Sequence, residues 1–179
     1  MDHKVISDLE NPLYGKSYDD VLKAIQQNGW LLQYVEKQTP EICLATIKED
    51  PWTLQFVKQQ TPEVCMAAVQ QNGFTISLIE EQTPELCLAA VQQNGRALQY
   101  VKEQTPEVCL VAVQQDGWAL QYVKEQTPEI CLAAIQQSGW ALQYIEKQTP
   151  ELCLTAVKQN SHVLKFVWDE FYEEVKASL

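Results

Sequence analysis

Histidine is nearly missing from this chain, with His3 and His162 the only two in 179 residues. No Cys-x-x-Cys pair stands beside them, so neither a metal site nor a cofactor is predicted. Basic residues are scarce as well, with 13 Lys and Arg against 24 Asp and Glu, for a net charge of −11. A surface of that sign repels phosphate backbones and anionic lipids, so no nucleic acid and no membrane is an expected partner. Long apolar runs are absent. Hydrophobic residues make up 46% of the chain, yet no stretch approaches the roughly 20 residues of a membrane span. The opening MDHKVISDLENP lacks the apolar core of a secretory signal. The expected compartment is the cytoplasm, or a host cytoplasm for a viral or non-classically secreted product. Gly-x-Ser-x-Gly, His-Glu-x-x-His and a glycine-rich phosphate loop are all missing, so the chain reads as a non-enzyme.

What the chain has is repetition. Thr-Pro-Glu occurs six times at 22-residue intervals, with prolines at Pro40, Pro62, Pro84, Pro106, Pro128 and Pro150. A cysteine follows each at a fixed offset: Cys43, Cys65, Cys87, Cys109, Cys131 and Cys153. A short fixed period means one small unit stacked on copies of itself. Equivalent cysteines in stacked helices lie about 8–10 Å apart, beyond the ~7 Å between Cα atoms that a disulfide tolerates. They are therefore read as reduced, buried, small apolar side chains, with a thiol-based role the weakest functional alternative.

The unit from Thr105 to Gln126, TPEVCLVAVQQDGWALQYVKEQ, predicts two short helices. Thr105 is an N-cap, Pro106 suits the first helical position and Glu107 complements the helix dipole. Val108 to Gln115 then continues in helix formers. Asp116-Gly117 predicts a helix end, with glycine in the left-handed C′ conformation. A second helix is expected from Trp118 to about Glu125. Val108, Cys109, Leu110, Ala112 and Val113 should surround most of the first helix. Glu107, Val111 and Gln114 share the remaining strip, which is expected to line a concave side. Neither helix is long enough to stand alone, so the units must support one another. β-solenoids and leucine-rich repeats have similar periods, but the Ala-Ala and Gln-Gln pairs are weak strand formers and Thr-Pro-Glu starts helices. The predicted fold is all-α: a right- or left-handed αα-solenoid of about seven 22-residue two-helix repeats with terminal caps.

Residues 1–16 are expected to be an N-terminal cap or tail, 17–160 the tandem repeats and 161–179 a C-terminal capping helix. The first repeat is degenerate, with Ser17, Tyr18 and Asp19 standing for Thr-Pro-Glu. In the last repeat the second helix is expected to run on through Trp168, Phe171, Tyr172 and Val175, covering the exposed end of the core. Asp50-Pro51 replaces Asn-Gly at one joint, and because proline cannot take positive φ, that joint is expected to differ in geometry. Arg96 interrupts a row of Trp30, Trp52, Phe74, Trp118 and Trp140. It is either a cation–π partner of flanking rings or a tolerated surface substitution.

The aromatic row could stack bases only beside a basic groove, which the charge disfavours; packing between units is the plainer reading. An extended solenoid surface that grips another protein or peptide is the leading functional reading. The candidate contact residues are Glu63, Gln70, Glu85, Gln92, Arg96, Glu107, Val111, Gln114, Glu129 and Gln136. The chain is thus read as a non-enzymatic protein-interaction scaffold. The alternative is a structural or assembly component of a larger complex or virus-like particle, and self-association is compatible with either.

The segments VQQNGRALQYVKEQTPEVCLVAV and IQQSGWALQYIEKQTPELCLTAV resemble a helical repeat family catalogued as a domain of unknown function. Its units look like LxAVxxNGxALxYVxxxxxE, and it occurs in bacteria, protists and giant viruses. The resemblance covers about residues 17–168. It implies a helical repeat and brings no established activity or functional residues. This chain departs from the pattern in its tighter, regular spacing and its inserted Thr-Pro-Glu.

Overall fold

The computed structural model describes residues 11–179. Residues 1–10 of the predicted N-terminal cap lie outside the described residues. The α-helices are α1 (Tyr18–Gln27), α2 (Pro40–Glu49), α3 (Pro62–Gln71), α4 (Pro84–Gln93), α5 (Pro106–Gln115), α6 (Pro128–Gln137), α7 (Pro150–Gln159) and α8 (Asp169–Ala177). A six-residue 3-10 helix follows each of the first seven, and the described residues contain no strand. The chain is an all-α helical solenoid of seven 22-residue repeats closed by α8. It divides into two compact units between Gln71 and Asn72. Within the second unit α4 packs on α5, α5 on α6, α6 on α7 and α7 on α8, and the 3-10 helices stack in the same order.

The helices α1 to α7 start where the caps predict. Thr105 is extended at φ −83° and its hydroxyl accepts from the Val108 N–H at 3.3 Å, with Pro106 opening the helix. Ser17 does the same for α1, accepting from Asp20. Val108, Cys109, Ala112 and Val113 are buried, as are Ala119, Leu120 and Val123 from the return segment. Leu110 is only half-buried, a correction to its predicted place in the core. Its equivalent Leu132 is 38% exposed. These leucines stand at the edge between adjacent α-helices.

The second helix of each repeat departs from expectation. It is a 3-10 helix, Gly117–Tyr122 in the repeat that Pro106 opens, and the residues from Val123 onward are extended or bent. The ten-residue α5 is about 15 Å long, and six residues of α-helix would return only about 9 Å. The 3-10 form rises about 2.0 Å per residue and covers more of the return with the same residues.

The joint also departs. Asp116, at φ −146° and ψ 110°, is extended, and the one positive φ among the described residues is at Gly15. Asp116 instead caps the 3-10 helix, its carboxylate accepting from the Trp118 N–H at 2.9 Å. Gly117 is needed for space: a Cβ there would lie 2.6 Å from the Ala134 carbonyl oxygen of the next repeat. The Asp50-Pro51 joint therefore matches the others, with Asp50 at φ −147° and ψ 109°. An extended residue before proline and proline at the first helical position are both favoured conformations, so no distortion arises.

The C-terminal segment is likewise two pieces. A 3-10 helix, Ser161–Phe166, ends before Val167, and α8 begins at Asp169. Val175 of α8 is buried in the same core as Leu142 and Val163. At the other end, Leu13 is buried and Asn11 donates to the Tyr34 carbonyl at 3.1 Å.

Candidate functional site

Repeats are joined by side chains that reach main-chain atoms of their neighbours. Gln104, just before Thr105, donates through Nε2 to the Leu98 carbonyl at 3.3 Å and to the Tyr122 carbonyl at 2.9 Å. Its Oε1 accepts from the Lys124 N–H at 3.0 Å. The Cys109 thiol lies 3.7 Å from the same oxygen. Gln38, Gln82, Gln126 and Gln148 build the same clamp on Phe56, Tyr100, Tyr144 and Phe166. The six cysteines are free and buried, and burial is the first cause that raises each thiol above its ordinary value, to about 11 for Cys153. A thiol held protonated is a poor nucleophile, which argues against a thiol-based role.

A second glutamine row acts in the second unit. Gln115 accepts from the Gly95 N–H at 2.6 Å and Gln137 from the Gly117 N–H at 2.7 Å. Gln93 and Gln159 do the same for Gly73 and Gly139. Much of the faithful glutamine repetition is thus structural.

The aromatic row is packed between repeats. Trp118 meets Tyr144 edge to face at 5.6 Å between ring centroids, and Trp140 meets Phe166 at 6.0 Å. Arg96 takes the place of a ring: its Nε is 2.6 Å from Asp116 Oδ2 and its Cζ 5.8 Å from the centre of Trp118. The cation–π alternative is the one observed, with an ion pair beside it.

The predicted contact residues are placed as follows. Glu63 and Gln70 are exposed on α3 of the first unit. Glu85 and Gln92 on α4, Glu107 and Gln114 on α5, and Glu129 and Gln136 on α6 are exposed in the second unit. Val111 is half-buried. Arg96 does not join them; it reaches Asp116 and Trp118. The Glu85 carboxyl is held below the usual range by hydrogen bonds, first from its own backbone N–H and then from the Thr83 hydroxyl.

The surface with room for a ligand lies at the N-terminal edge of these helices. Between α5 and α6 a small groove of about 170 Å³ is lined by Pro106, Cys109, Lys124, Glu125, Thr127 and Ile130. Between α6 and α7 the groove widens to about 710 Å³. The two share Lys124, Glu125 and Thr127 and adjoin along that segment, and together they are called the channel. Pro128, Cys131, Leu132 and Leu152 give the wide part an apolar lining, and Glu125, Glu146, Lys147 and Glu151 surround it. A comparable groove of about 330 Å³ lies between α2 and α3 in the first unit. Sequence reasoning missed Leu132 because its row, shared with Leu110, was assigned to the core; Leu152, in the row of Val108 and Ile130, is buried as that row predicts and only borders the groove. The available signal was that an α-helix with neighbours on two sides leaves one apolar column at its edge.

Stacked α-helix and 3-10 pairs, stapled by glutamine within each unit, define a solenoid repeat protein. The chain belongs to the family described as Domain of unknown function (DUF4116), whose model matches residues 18–60, 62–104, 83–127 and 105–149. Each match spans two of the 22-residue repeats. No curated protein and no solved structure matches the chain. Among the described residues no helix is long and apolar enough to cross a membrane.

Proposed function

We propose that the protein is a non-enzymatic interaction scaffold whose groove between α6 and α7 binds a segment of another protein. One observation carries this reading: the groove is about 710 Å³ with an apolar lining, a size that admits a bulky side chain and flanking backbone. The side chains around it divide into those already bound to the next repeat and those facing solvent. Gln126 is committed to the Tyr144 carbonyl and the Glu146 N–H. Leu132, 38% exposed, is left as apolar surface that a partner can cover. Exposure of one leucine is ordinary, but a leucine beside a concavity is a contact in waiting.

The test is selection of a displayed random-peptide library on the purified protein, with Leu132→Glu as the counter-selected variant. Peptides with a bulky apolar anchor should be enriched and should lose at least about tenfold in affinity, or about 1.4 kcal/mol, on the variant. Circular dichroism of the variant should be unchanged, because the site is partly exposed. An absence of enriched peptides, or equal binding to the variant, would remove the groove as the site.

A further inference from the structure

We infer that the occupant of this groove is an extended basic segment, with Lys or Arg at about three-residue intervals flanking one bulky apolar side chain. The inference rests on the groove reading above and adds the partner's charge and spacing. The groove carries the carboxylates of Glu125, Glu146 and Glu151 against two lysines. Lys124 is already engaged, its Nζ donating to the Lys102 carbonyl at 3.0 Å. Among the described residues none gives Glu125, Glu146 or Glu151 an ion pair.

The field inside the channel has the same sign. After burial, the cause that raises the Cys131 thiol is the charge of Glu146, and for Cys109 it is the charge of Glu125. Both cysteines line the channel. The chain as a whole carries −11. A cationic segment is therefore attracted at a distance and finds unpaired carboxylates on arrival.

Spacing follows from the repeat. Glu107, Glu129 and Glu151 occupy the second position of α5, α6 and α7; Glu151 lines the wide groove, while Glu107 and Glu129 are exposed outside it at the same position of the two preceding helices. Packed helices stand about 8–10 Å apart, and an extended chain rises about 3.3 Å per residue. About three residues of ligand thus span one repeat, so cations at that interval meet successive glutamates.

The experiment uses the whole protein and a fluorescent peptide, Lys-Ala-Ala-Lys-Phe-Ala-Lys-Ala-Ala, read by anisotropy. It should bind roughly tenfold tighter than its Gln-for-Lys version at low salt, and the advantage should shrink as salt is added. Glu151→Gln and Glu125→Gln should each weaken the Lys peptide and leave the Gln version unchanged. Equal binding of the Lys and Gln peptides, both lost in Leu132→Glu, would overturn the charge inference and leave the groove reading standing. Equal binding of a peptide with its three lysines contiguous would overturn the spacing. Lys-peptide binding that survives Leu132→Ser, which removes the apolar contact without adding a carboxylate, would show attraction to the acidic surface at large and overturn the inference. Failure of every peptide, apolar or basic, would overturn both readings.

Discussion

The units before and after Asn72 share one clamp and differ in another. Gln38 in the first unit and Gln104 in the second bind equivalent main-chain atoms. The glycine N–H to glutamine bond, repeated four times in the second unit, has no counterpart at these joints in the described residues of the first. Pro51 has no N–H to give, and Glu49 stands where Gln115 stands. Space follows the same division. A Cβ on Gly29 would come no closer than 3.4 Å to the Thr46 carbonyl, against 2.6 Å for Gly117 and Ala134. Thr46 and Thr53, both buried, occupy positions that are Ala112 and Ala119 in the second unit, where Thr75 alone keeps a threonine at the latter position. Their hydroxyls turn back to Cys43 and Asp50 carbonyls of their own repeat. The lesson is that side-chain stitching and close backbone approach go together: where one is relaxed, so is the other.

The shared clamp should give the largest effect and no difference between units. Gln104→Leu and Gln38→Leu each strand part-buried carbonyl groups and a more exposed N–H, and each should cost about 2.5 kcal/mol in urea unfolding. A loss confined to one unit would break the equivalence. The glycines should separate the units. Gly117→Ala forces a methyl against backbone and should cost about 2 kcal/mol, whereas Gly29→Ala, facing mainly the Thr53 methyl, should cost less than about 1 kcal/mol. Equal costs by the same measurement would contradict the difference in spacing. Smaller still, Gln115→Ala should cost about 1 kcal/mol by stranding the Gly95 N–H. Glu49→Ala should stay within about 0.5 kcal/mol, and amide exchange at Gly95 should rise only in the former.

The thiols sharpen the comparison with the least effect near neutrality. All six thiols are raised in the fold, so the unfolded chain ionises first. Their stabilising contribution is complete below about pH 9 and is lost as pH rises, through about 11 for Cys153. Melting temperature should therefore be unaffected by these groups at neutral pH and fall in alkali. Carboxylates add to the rise at Cys87, Cys109 and Cys131 in the second unit, while none adds at Cys43 or Cys65. Added salt should speed maleimide labelling of Cys131 and leave Cys65 unchanged.

The α-helices were legible because their signals are local. Thr105, Pro106 and Glu107 act within one turn, and Cys109, Ala112 and Val113 face inward at helical spacing. The 3-10 return was not, since Trp118 to Tyr122 shows the same amphipathic residues in either helical form, and the choice is made by the distance to be covered. Gly117 was misread for a related reason: a glycine after a helix fits a left-handed cap or a close approach equally well, and only the neighbouring Ala134 carbonyl decides. The role of Gln104 has no local signal, because its partners, Tyr122 and Lys124, lie 18 and 20 residues on. Leu132 was misplaced because periodicity marks a face as apolar without saying how far the next helix covers it.

The clamp glutamines address the following copy only through its main-chain atoms, and every residue has those atoms. The recognition between copies is consequently indifferent to which copy comes next. Excision of residues 105–126 would bring Gln104 directly before Thr127, restoring the same Gln-Thr-Pro junction with Tyr144 and Glu146 as its new acceptor and donor. Such a chain can lengthen or shorten by whole periods without inventing a seam, and its reach is free to vary while its joints stay the same.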